Sequence, residues 1–415
     1  MWLGGDPSEQ YYPSVACMRP VHGGHRLRSA GMKFGFVNTL ENPDQAIAYD
    51  QLLDNLRAQA KVCDQGGFDS FWFAEHHFGV NGRDASPNPF MLATDIASRT
   101  ERIRMGLAVV ILPLWHPLRA AENIALLDQM TKGRLEVGFG RASQPHEVVT
   151  FNPDADPRVP EGSRAVFAEA LDVVTKALTE EFFEHEGDYF RFPKPGISWS
   201  SRTGFDDDER WIKDGEVYRL AVVPRTYQKP HPPFWMALSS EGSAQIAGLL
   251  ALKPIAWRQT ARRLKEWIGL YQNGCEQRGA PDPDPGKSWG VLRNVFVAPT
   301  MEEARRIYAP YVEQMFRYRA ADPWRALQAF LDPGEEPNSG MGLNWDFLLK
   351  RVIIAGSPQN VIEQIQELEE ITGIGTILAS TAHEGLPQEH ILSSLELLGE
   401  HVVPEVAKFS TKTAG

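Results

Sequence analysis

Three titratable residues, Glu75, His76 and His77, follow directly on the apolar stretch 71–74. A run of aromatic residues that stops at polar ones is typical of a buried strand with the polar side chains just past its carboxyl end. Histidine titrates near neutral pH, so proton transfer is the chemistry that such a position favours. The two histidines do not predict a metal site, because neighbours on a strand point to opposite faces and cannot chelate one ion. A capped core strand with a solvated histidine pair, or a metal-dependent hydrolase, is the alternative.

A second pattern indicates an anion-binding site. Arg141 follows the predicted strand 134–139 and stands among small residues that let a ligand approach closely. Ser239, Ser240 and Ser243 stand at the predicted start of a helix, where hydroxyls, free N–H groups and the positive end of the helix dipole suit a phosphate. Each feature alone also fits a helix cap or a surface ion pair. Together they predict a site for a phosphate or a carboxylate.

Predicted strands and helices alternate regularly along the chain, and they must position these residues. Helical spacing indicates a last helix that begins at Pro358, with Ser357 as its N-cap. This alternation predicts an α/β fold, a (β/α)₈ TIM barrel, in which residues that follow the strands share one mouth. The predicted strands are 32–37, 70–74, 104–112, 134–139, 233–238, 254–257, 289–297 and 375–379. The other predicted helices are 47–65, 122–130, 164–178, 244–251, 258–277 and 302–318.

Three segments depart from this alternation. Residues 1–31 are rich in Gly, Pro and Arg without periodicity, and we expect a poorly ordered N-terminal appendage. The barrel is expected over 32–410, with insertions at about 193–230 and 320–344. Long irregular insertions in a barrel commonly cover the carboxyl-terminal face, although surface excursions are the alternative.

The composition disfavours several classes of function. A chain of 415 residues that is 42% hydrophobic is long enough for one large domain. The net charge of -12 disfavours nucleic acid and anionic membranes as partners, since both require clustered cations. The longest apolar run, 106–115, is too short to span a bilayer. Three cysteines without CxxC spacing suggest neither a disulfide framework nor a zinc site, so we expect a soluble, cytoplasmic protein.

Five stretches carry a resemblance to a known family: 32–36, 67–69, 75–78, 111–113 with 116–119, and 126–134. In these stretches the chain resembles the bacterial luciferase-like family of flavin-dependent monooxygenases. The resemblance is specific from Met32 to about Phe151, and looser through 239–257 and 356–379. It implies a barrel that binds reduced FMN at its carboxyl-terminal mouth. A separate NAD(P)H:flavin reductase would supply the reduced FMN, and O₂ would oxygenate a small organic substrate.

The resemblance also implies roles for particular residues. His76 matches the family's catalytic histidine, which favours formation and correct breakdown of the flavin hydroperoxide. Arg141 matches the arginine that binds the FMN phosphate. Ser240 and Ser243, beside Ser239, match the hydroxyl residues that complete the phosphate site.

Two further matches concern the flavin ring. Ala108-Val109 falls where the family runs its backbone against the isoalloxazine, but sequence does not reveal whether that peptide is cis. Trp257 resembles an aromatic residue that lines the flavin pocket, although core packing is the alternative. Gly140 replaces the reactive cysteine of the luciferase catalytic subunit, so light emission is not implied.

Several questions of function stay open at this point. A deazaflavin-dependent oxidoreductase of the same barrel is one alternative to the FMN enzyme, and a non-catalytic flavin-binding subunit is another. The chain has no GxGxxG between a predicted strand and helix, so NAD(P)H is expected to act on the reductase. The family commonly forms homodimers. The aromatic residues Trp72, Phe78, Trp115 and Trp257 are pocket candidates that suggest an apolar substrate of unknown identity, although aromatic residues near strand ends belong to the core as often as to a pocket.

Overall fold

A computed structural model gives the structure of the chain, and it describes residues 31–83, 85–141, 144–199, 208–257, 259–319, 322, 327–338 and 341–409. The predicted appendage 1–31 therefore lies outside the described residues except for Gly31, as do parts of both predicted insertions. Within those ranges, no helix is long and apolar enough to cross a membrane.

Strands are numbered in chain order within the described ranges. They are β1 Lys33–Asn38, β2 Ser70–Phe73, β3 Arg104–Ile111, β4 Leu135–Gly140, β5 His185–Glu186, β6 Arg191–Phe192, β7 Ile212–Lys213, β8 Glu216–Val217, β9 Phe234–Ala237, β10 Lys253–Trp257, β11 Gly290–Val297, β12 Ile353–Gly356 and β13 Thr376–Ser380.

The helices are numbered in the same way. They are α1 Tyr49–Gln65, α2 Pro89–Ala97, α3 Pro117–Met130, α4 Pro145–Phe151, α5 Pro160–Thr179, α6 Glu241–Leu249, α7 Ala261–Gln277, α8 Met301–Arg319, α9 Trp345–Leu349, α10 Pro358–Thr372, α11 Gln388–Leu397 and α12 Val403–Val406, with a π-helical segment at Leu398–Val402. Short 3₁₀ turns lie at Pro43–Gln45, Leu112–Leu114, Pro153–Ala155 and Pro285–Ser288.

The main sheet has the strand order β10-β9-β4-β3-β2-β1-β13-β11-β12. An additional parallel pairing of β10 with the first residues of β11 closes the sheet into a barrel. β12 is a ninth strand, which pairs with the second half of β11. The predicted (β/α)₈ barrel is confirmed.

The described residues form two compact units: the first unit is 110–233, and the second unit is 31–109 with 234–409. In the second unit, alternate residues of neighbouring strands meet in an interior cluster, as the twofold side-chain period of strands requires. Its members are Val37, Trp72, Trp235, Ile255 and Leu378. The rings of Trp72 and Trp235 pack edge to face, with centroids 5.6 Å apart.

The first unit contains a buried charged cluster. His185 of β5 lies between two carboxylates of α5, with Nε2 3.2 Å from Glu169 Oε1 and Nδ1 3.5 Å from Asp172 Oδ2. Burial disfavours the protonated ring, but hydrogen bonds to Asp172 and Glu169 outweigh that effect and raise the pKa of His185.

The first unit also has two short antiparallel ribbons, β5–β6 and β7–β8. β7–β8 lies within the predicted insertion 193–230.

The predicted elements agree well with the structure at strands and less well at helix starts. Each predicted strand is present, within one residue at either end. Ser357 and Asn360 form the N-terminal capping box of α10, which confirms the predicted cap. The helix predicted at 122–130 begins five residues earlier, at Pro117, because proline at the first helical position has a helical φ and needs no N–H partner.

Candidate active site

The residues that follow β2 are fixed by hydrogen bonds to Ser86. Its hydroxyl donates to the Ala74 carbonyl at 2.6 Å, and its carbonyl accepts from the His76 N–H at 2.9 Å. His76 is half-buried and lines a pocket of about 570 Å³ in the second unit. The pocket wall is largely apolar, and it includes Ala46, Ile47, Ala48, Tyr49, Phe78, Ala85 and Pro87.

His77 has different surroundings from His76. Its Nε2 lies 3.0 Å from Oε1 of Glu75, whose side chain is only 1% exposed. The two histidines thus separate, as expected for neighbours on extended backbone, and His77 contributes to a buried polar pair. Among the described residues, no group of three or more His, Cys, Asp or Glu side chains could hold a metal ion.

Three predicted flavin-ring residues lie near the ends of two strands that are not adjacent in the sheet, β3 and β10. The peptide bond between Ala108 and Val109, near the end of β3, is cis. Ala108 packs against the interior cluster. Trp257 is the last residue of β10 and is half-buried. Trp72, by contrast, is 1% exposed and belongs to the barrel core, so its interpretation as a pocket residue was wrong.

The three predicted serines form the start of α6. Ser240 is the N-cap, and Ser243 closes a capping box with it. The Ser243 hydroxyl accepts from the N–H groups of Ser239 and Ser240 at 3.1 and 3.0 Å, and donates to the Ser240 carbonyl. Ser239 and Ser240 are exposed, whereas Ser243 is buried. Within the first helical turn, the N–H of Ser243 donates to Ser240 Oγ at 3.4 Å, whereas the N–H groups of Glu241 and Gly242 have no intrahelical partner, as at any helix start.

Arg141 lies in the first unit, directly after the last residue of β4, and is half-buried. The residue before it, Gly140, is buried. Ala142 and Ser143 lie outside the described residues. Arg141 therefore has the expected position after its strand, and its phosphate-binding role remains a prediction.

A buried polar network in the second unit was not predicted from the sequence. His383 Nδ1 lies 3.2 Å from Glu41 Oε1, and its Nε2 lies 2.7 Å from Asn294 Nδ2. Since the amide nitrogen donates to Nε2, the neutral ring carries its proton on Nδ1 and donates it to Glu41. Glu384 completes the network, because its carboxylate accepts from Arg83 Nε at 3.0 Å and its N–H donates to Glu41 at 3.0 Å.

A sequence signal for this network did exist. His383 and Glu384 come three and four residues after β13, and Glu41 comes three residues after β1. That is the same placement, just past a strand, that drew attention to 75–77 after β2. The missing information was the long-range pairing that brings these ends together.

The sequence profile of the family described as luciferase-like monooxygenases matches residues 32–374. The chain belongs to that family. It is similar to the oxygenase component of flavin-dependent trigonelline monooxygenase of Acinetobacter baylyi, with 27% identity over 279 residues, 66% of this chain and 67% of the relative. The family and the enzyme class predicted from the sequence, a flavin-dependent monooxygenase, are both confirmed.

Two solved structures share the barrel of this luciferase-like monooxygenase. The oxygenating constituent of 3,6-diketocamphane monooxygenase from Pseudomonas putida, in complex with FMN, has a TM-score of 0.72 at 23% identity, covering 90% of this chain and 98% of that one. The coenzyme F420-dependent tetrahydromethanopterin reductase of Methanopyrus kandleri has a TM-score of 0.64 at 19% identity, covering 91% and 100%. At these identities the likeness shows the fold alone.

Proposed function

We propose that this luciferase-like monooxygenase is the oxygenase component, a homodimer, of a two-component system. It would take reduced FMN from a separate NAD(P)H:flavin reductase and use O₂ to oxygenate a small, apolar organic substrate. The observation that carries the proposal is His76, an imidazole in the wall of a largely apolar pocket. Two similar proteins are named as an oxygenase component and an oxygenating constituent, which supports the division of labour.

The chain offers suitable groups for the phosphate of FMN. The start of α6 presents first-turn N–H groups and the exposed hydroxyls of Ser239 and Ser240. The guanidinium of Arg141 can form a charge-assisted, bidentate pair with a phosphate. Within the cap the hydroxyl of Ser243 both accepts and donates, whereas that of Ser240 only accepts and keeps its O–H for donation, so we assign Ser243 to shaping the turn and Ser240 to contacting the phosphate.

The residues around the pocket suit oxygen chemistry. Bound reduced FMN would supply the electrons that activate O₂. His76 can hold or move a proton at the pocket wall, because an imidazole titrates near neutral pH. The apolar side chains of Ile47 and Phe78 favour an apolar substrate. Ser86 keeps the backbone of His76 in place.

The decisive experiment mixes the protein with reduced FMN without oxygen, then adds O₂ and follows flavin absorbance and hydrogen peroxide with time. We expect the wild type to delay flavin oxidation relative to free FMN, with a persistent near-ultraviolet species. His76→Ala should bind reduced FMN nearly as well but release peroxide about 10²-fold faster, the scale of a lost acid–base group. His401→Ala, at a site with a 46% exposed side chain, is the matched control. Wild-type behaviour in His76→Ala would refute the assignment.

A deazaflavin-dependent oxidoreductase is the second candidate, because one solved structure with the same barrel uses coenzyme F420. The two candidates differ in which reduced flavin binds. We expect reduced FMN to bind more tightly than both oxidised FMN and reduced coenzyme F420. Tighter binding of F420 would favour the second candidate. Steady NAD(P)H oxidation by this chain without any reductase would contradict the two-component proposal.

A further inference from the structure

A second pocket, of about 420 Å³, lies in the second unit on the outer side of the barrel wall. Arg293 of β11 reaches it, because the preceding residue, Leu292, packs against the interior cluster and strand neighbours point to opposite faces. The pocket is lined by β12, by α10 and by the first residues of α7. It does not include any residue assigned above to FMN or to the His76 pocket.

Arg293 is a buried cation that has no counter-ion among the described residues. The residue is 2% exposed, and its guanidinium donates to two carbonyls, Leu292 at 3.1 Å and Gln259 at 2.7 Å. No carboxylate of the described residues forms an ion pair with it. Burial lowers the pKa of Arg293 to about 9. A buried charge without a compensating partner is unfavourable, so an anion in this pocket would stabilise the protein.

The pocket as a whole carries an excess of positive charge. Four cationic side chains, those of Arg262, Arg293, Lys350 and Arg351, stand against two lining carboxylates, Asp332 and Glu367, and a third, Glu335, that pairs with Arg351, which leaves a net charge of +1 in a chain whose net charge is -12.

Two further groups of hydrogen-bond donors belong to the residues that line the cavity. The Nε of Arg351 is buried and has no hydrogen-bond partner among the described residues, although Nη2 of the same side chain binds Glu335 at 2.6 Å. The 17-residue helix α7 begins at the pocket wall, at Ala261, so its first N–H groups and the positive end of its dipole lie there as well. Two guanidinium groups and a helix start are the donor set that recognises a compact oxyanion.

We propose that this outer pocket binds a small anionic molecule through a compact oxyanion, a phosphate or a carboxylate group. The guanidinium of Arg293 supplies the buried charge, and Arg351 and Lys350 supply further contacts at the entrance. The volume lies within the range of small-molecule sites. The site is independent of the FMN proposal, since no residue is shared.

Titration calorimetry of the full-length protein with inorganic phosphate, and separately with succinate, tests the proposal. Arg293→Met should weaken phosphate binding by about tenfold or more, the effect of losing a charge-assisted contact. All phosphate titrations and the unfolding measurements below are made in saturating FMN, which fills the proposed FMN phosphate site, and His401→Ala, with a 46% exposed side chain, should leave the binding unchanged. Tighter binding of phosphate than of succinate would identify a phosphorylated ligand, and the reverse a carboxylate. Failure of both probes to bind, or equal phosphate binding in Arg293→Met, would overturn the proposal.

Thermal unfolding distinguishes an anion site from a purely structural arginine. Without added anion, Arg293→Met should be at least as stable as the wild type, because the variant removes an uncompensated buried charge. Added phosphate should raise the Tm of the wild type and leave that of the variant unchanged. Lys350→Glu, at an exposed position, provides a second variant should Arg293→Met fail to fold. It should weaken phosphate binding at least about threefold, and an unchanged affinity would overturn the proposal.

Discussion

Gly106 of β3 has no room for a side chain, and its replacement by alanine tests how tightly the barrel interior is packed beneath the candidate site. A Cβ at this position would lie 2.0 Å from Cδ2 of Trp72, the residue opposite it in the register of β2 and β3. Ordinary contact begins at 3.4 Å, so the indole would have to move by about 1.4 Å. Trp72 is 1% exposed, packs against Trp235 and donates from Nε1 to Ser70 Oγ at 2.7 Å.

These contacts set the size of the effect. Overpacking a rigid core typically costs about 1–3 kcal/mol, and the enclosed indole places Gly106→Ala at the upper end. Losing the hydrogen bond to Ser70 adds about 1 kcal/mol. We therefore expect the free energy of unfolding to fall by about 3–4 kcal/mol.

Denaturant unfolding followed by tryptophan fluorescence and by circular dichroism measures this change. Gly269→Ala is the matched control, because its Cβ would meet nothing within 4 Å on α7, and alanine should stabilise that helix by about 1 kcal/mol. Adding Trp72→Phe to Gly106→Ala should recover part of the loss, since the smaller ring frees space. A decrease below about 0.5 kcal/mol for Gly106→Ala would refute the packing argument.

Three further predictions concern charged groups. Arg141→Ala should weaken reduced-FMN binding by about ten- to a hundredfold while riboflavin binding hardly changes, and equal losses for both ligands in calorimetry would make Arg141 structural. His77→Ala should lower the free energy of unfolding by about 1.5–3 kcal/mol, because buried Glu75 loses a hydrogen-bond partner, and an unchanged denaturant midpoint would contradict this. The raised pKa of His185 means that its protonated form stabilises the fold below its ordinary pKa of about 6.5, and that this contribution is lost as the pH rises through the folded-state value. The Tm difference between the wild type and His185→Gln should therefore narrow from about pH 5.5 to about pH 9, and a widening difference would contradict the assignment.

The barrel strands could be read from the sequence because each combines apolar, β-branched and aromatic residues in a short run with polar ends. Helix starts were harder. Pro117 and Pro160 each stand at the first position of a helix, and periodicity alone placed both starts several residues too late. Helix α2 was missed, although Asn88 caps it by accepting from the Met91 N–H at 3.1 Å. A search for proline preceded by a capping residue would have found it.

The candidate site was only partly predictable for a related reason. His76 could be selected from the sequence because it directly follows an apolar, aromatic strand. Its position in the wall of a pocket agrees with the predicted position at the mouth of the barrel. The pairing of His383 with Glu41 depends on strands that are adjacent only in the closed barrel, so local patterns cannot reveal it. Trp72 shows the opposite error, since an aromatic residue near a strand end can face the core as readily as a pocket.

The pairing of β1 with β13 has a consequence for synthesis of the chain. One edge of β1, which includes Phe34 and Phe36, pairs with β13, and Lys33 pairs with Thr376. The backbone groups of that edge therefore have no strand partner until almost the whole barrel has left the ribosome. The edge of an apolar strand that stays unpaired during most of synthesis can pair with another nascent chain instead. A chaperone that shields this edge should therefore raise the soluble yield, whereas chains truncated before β13 should accumulate as aggregates.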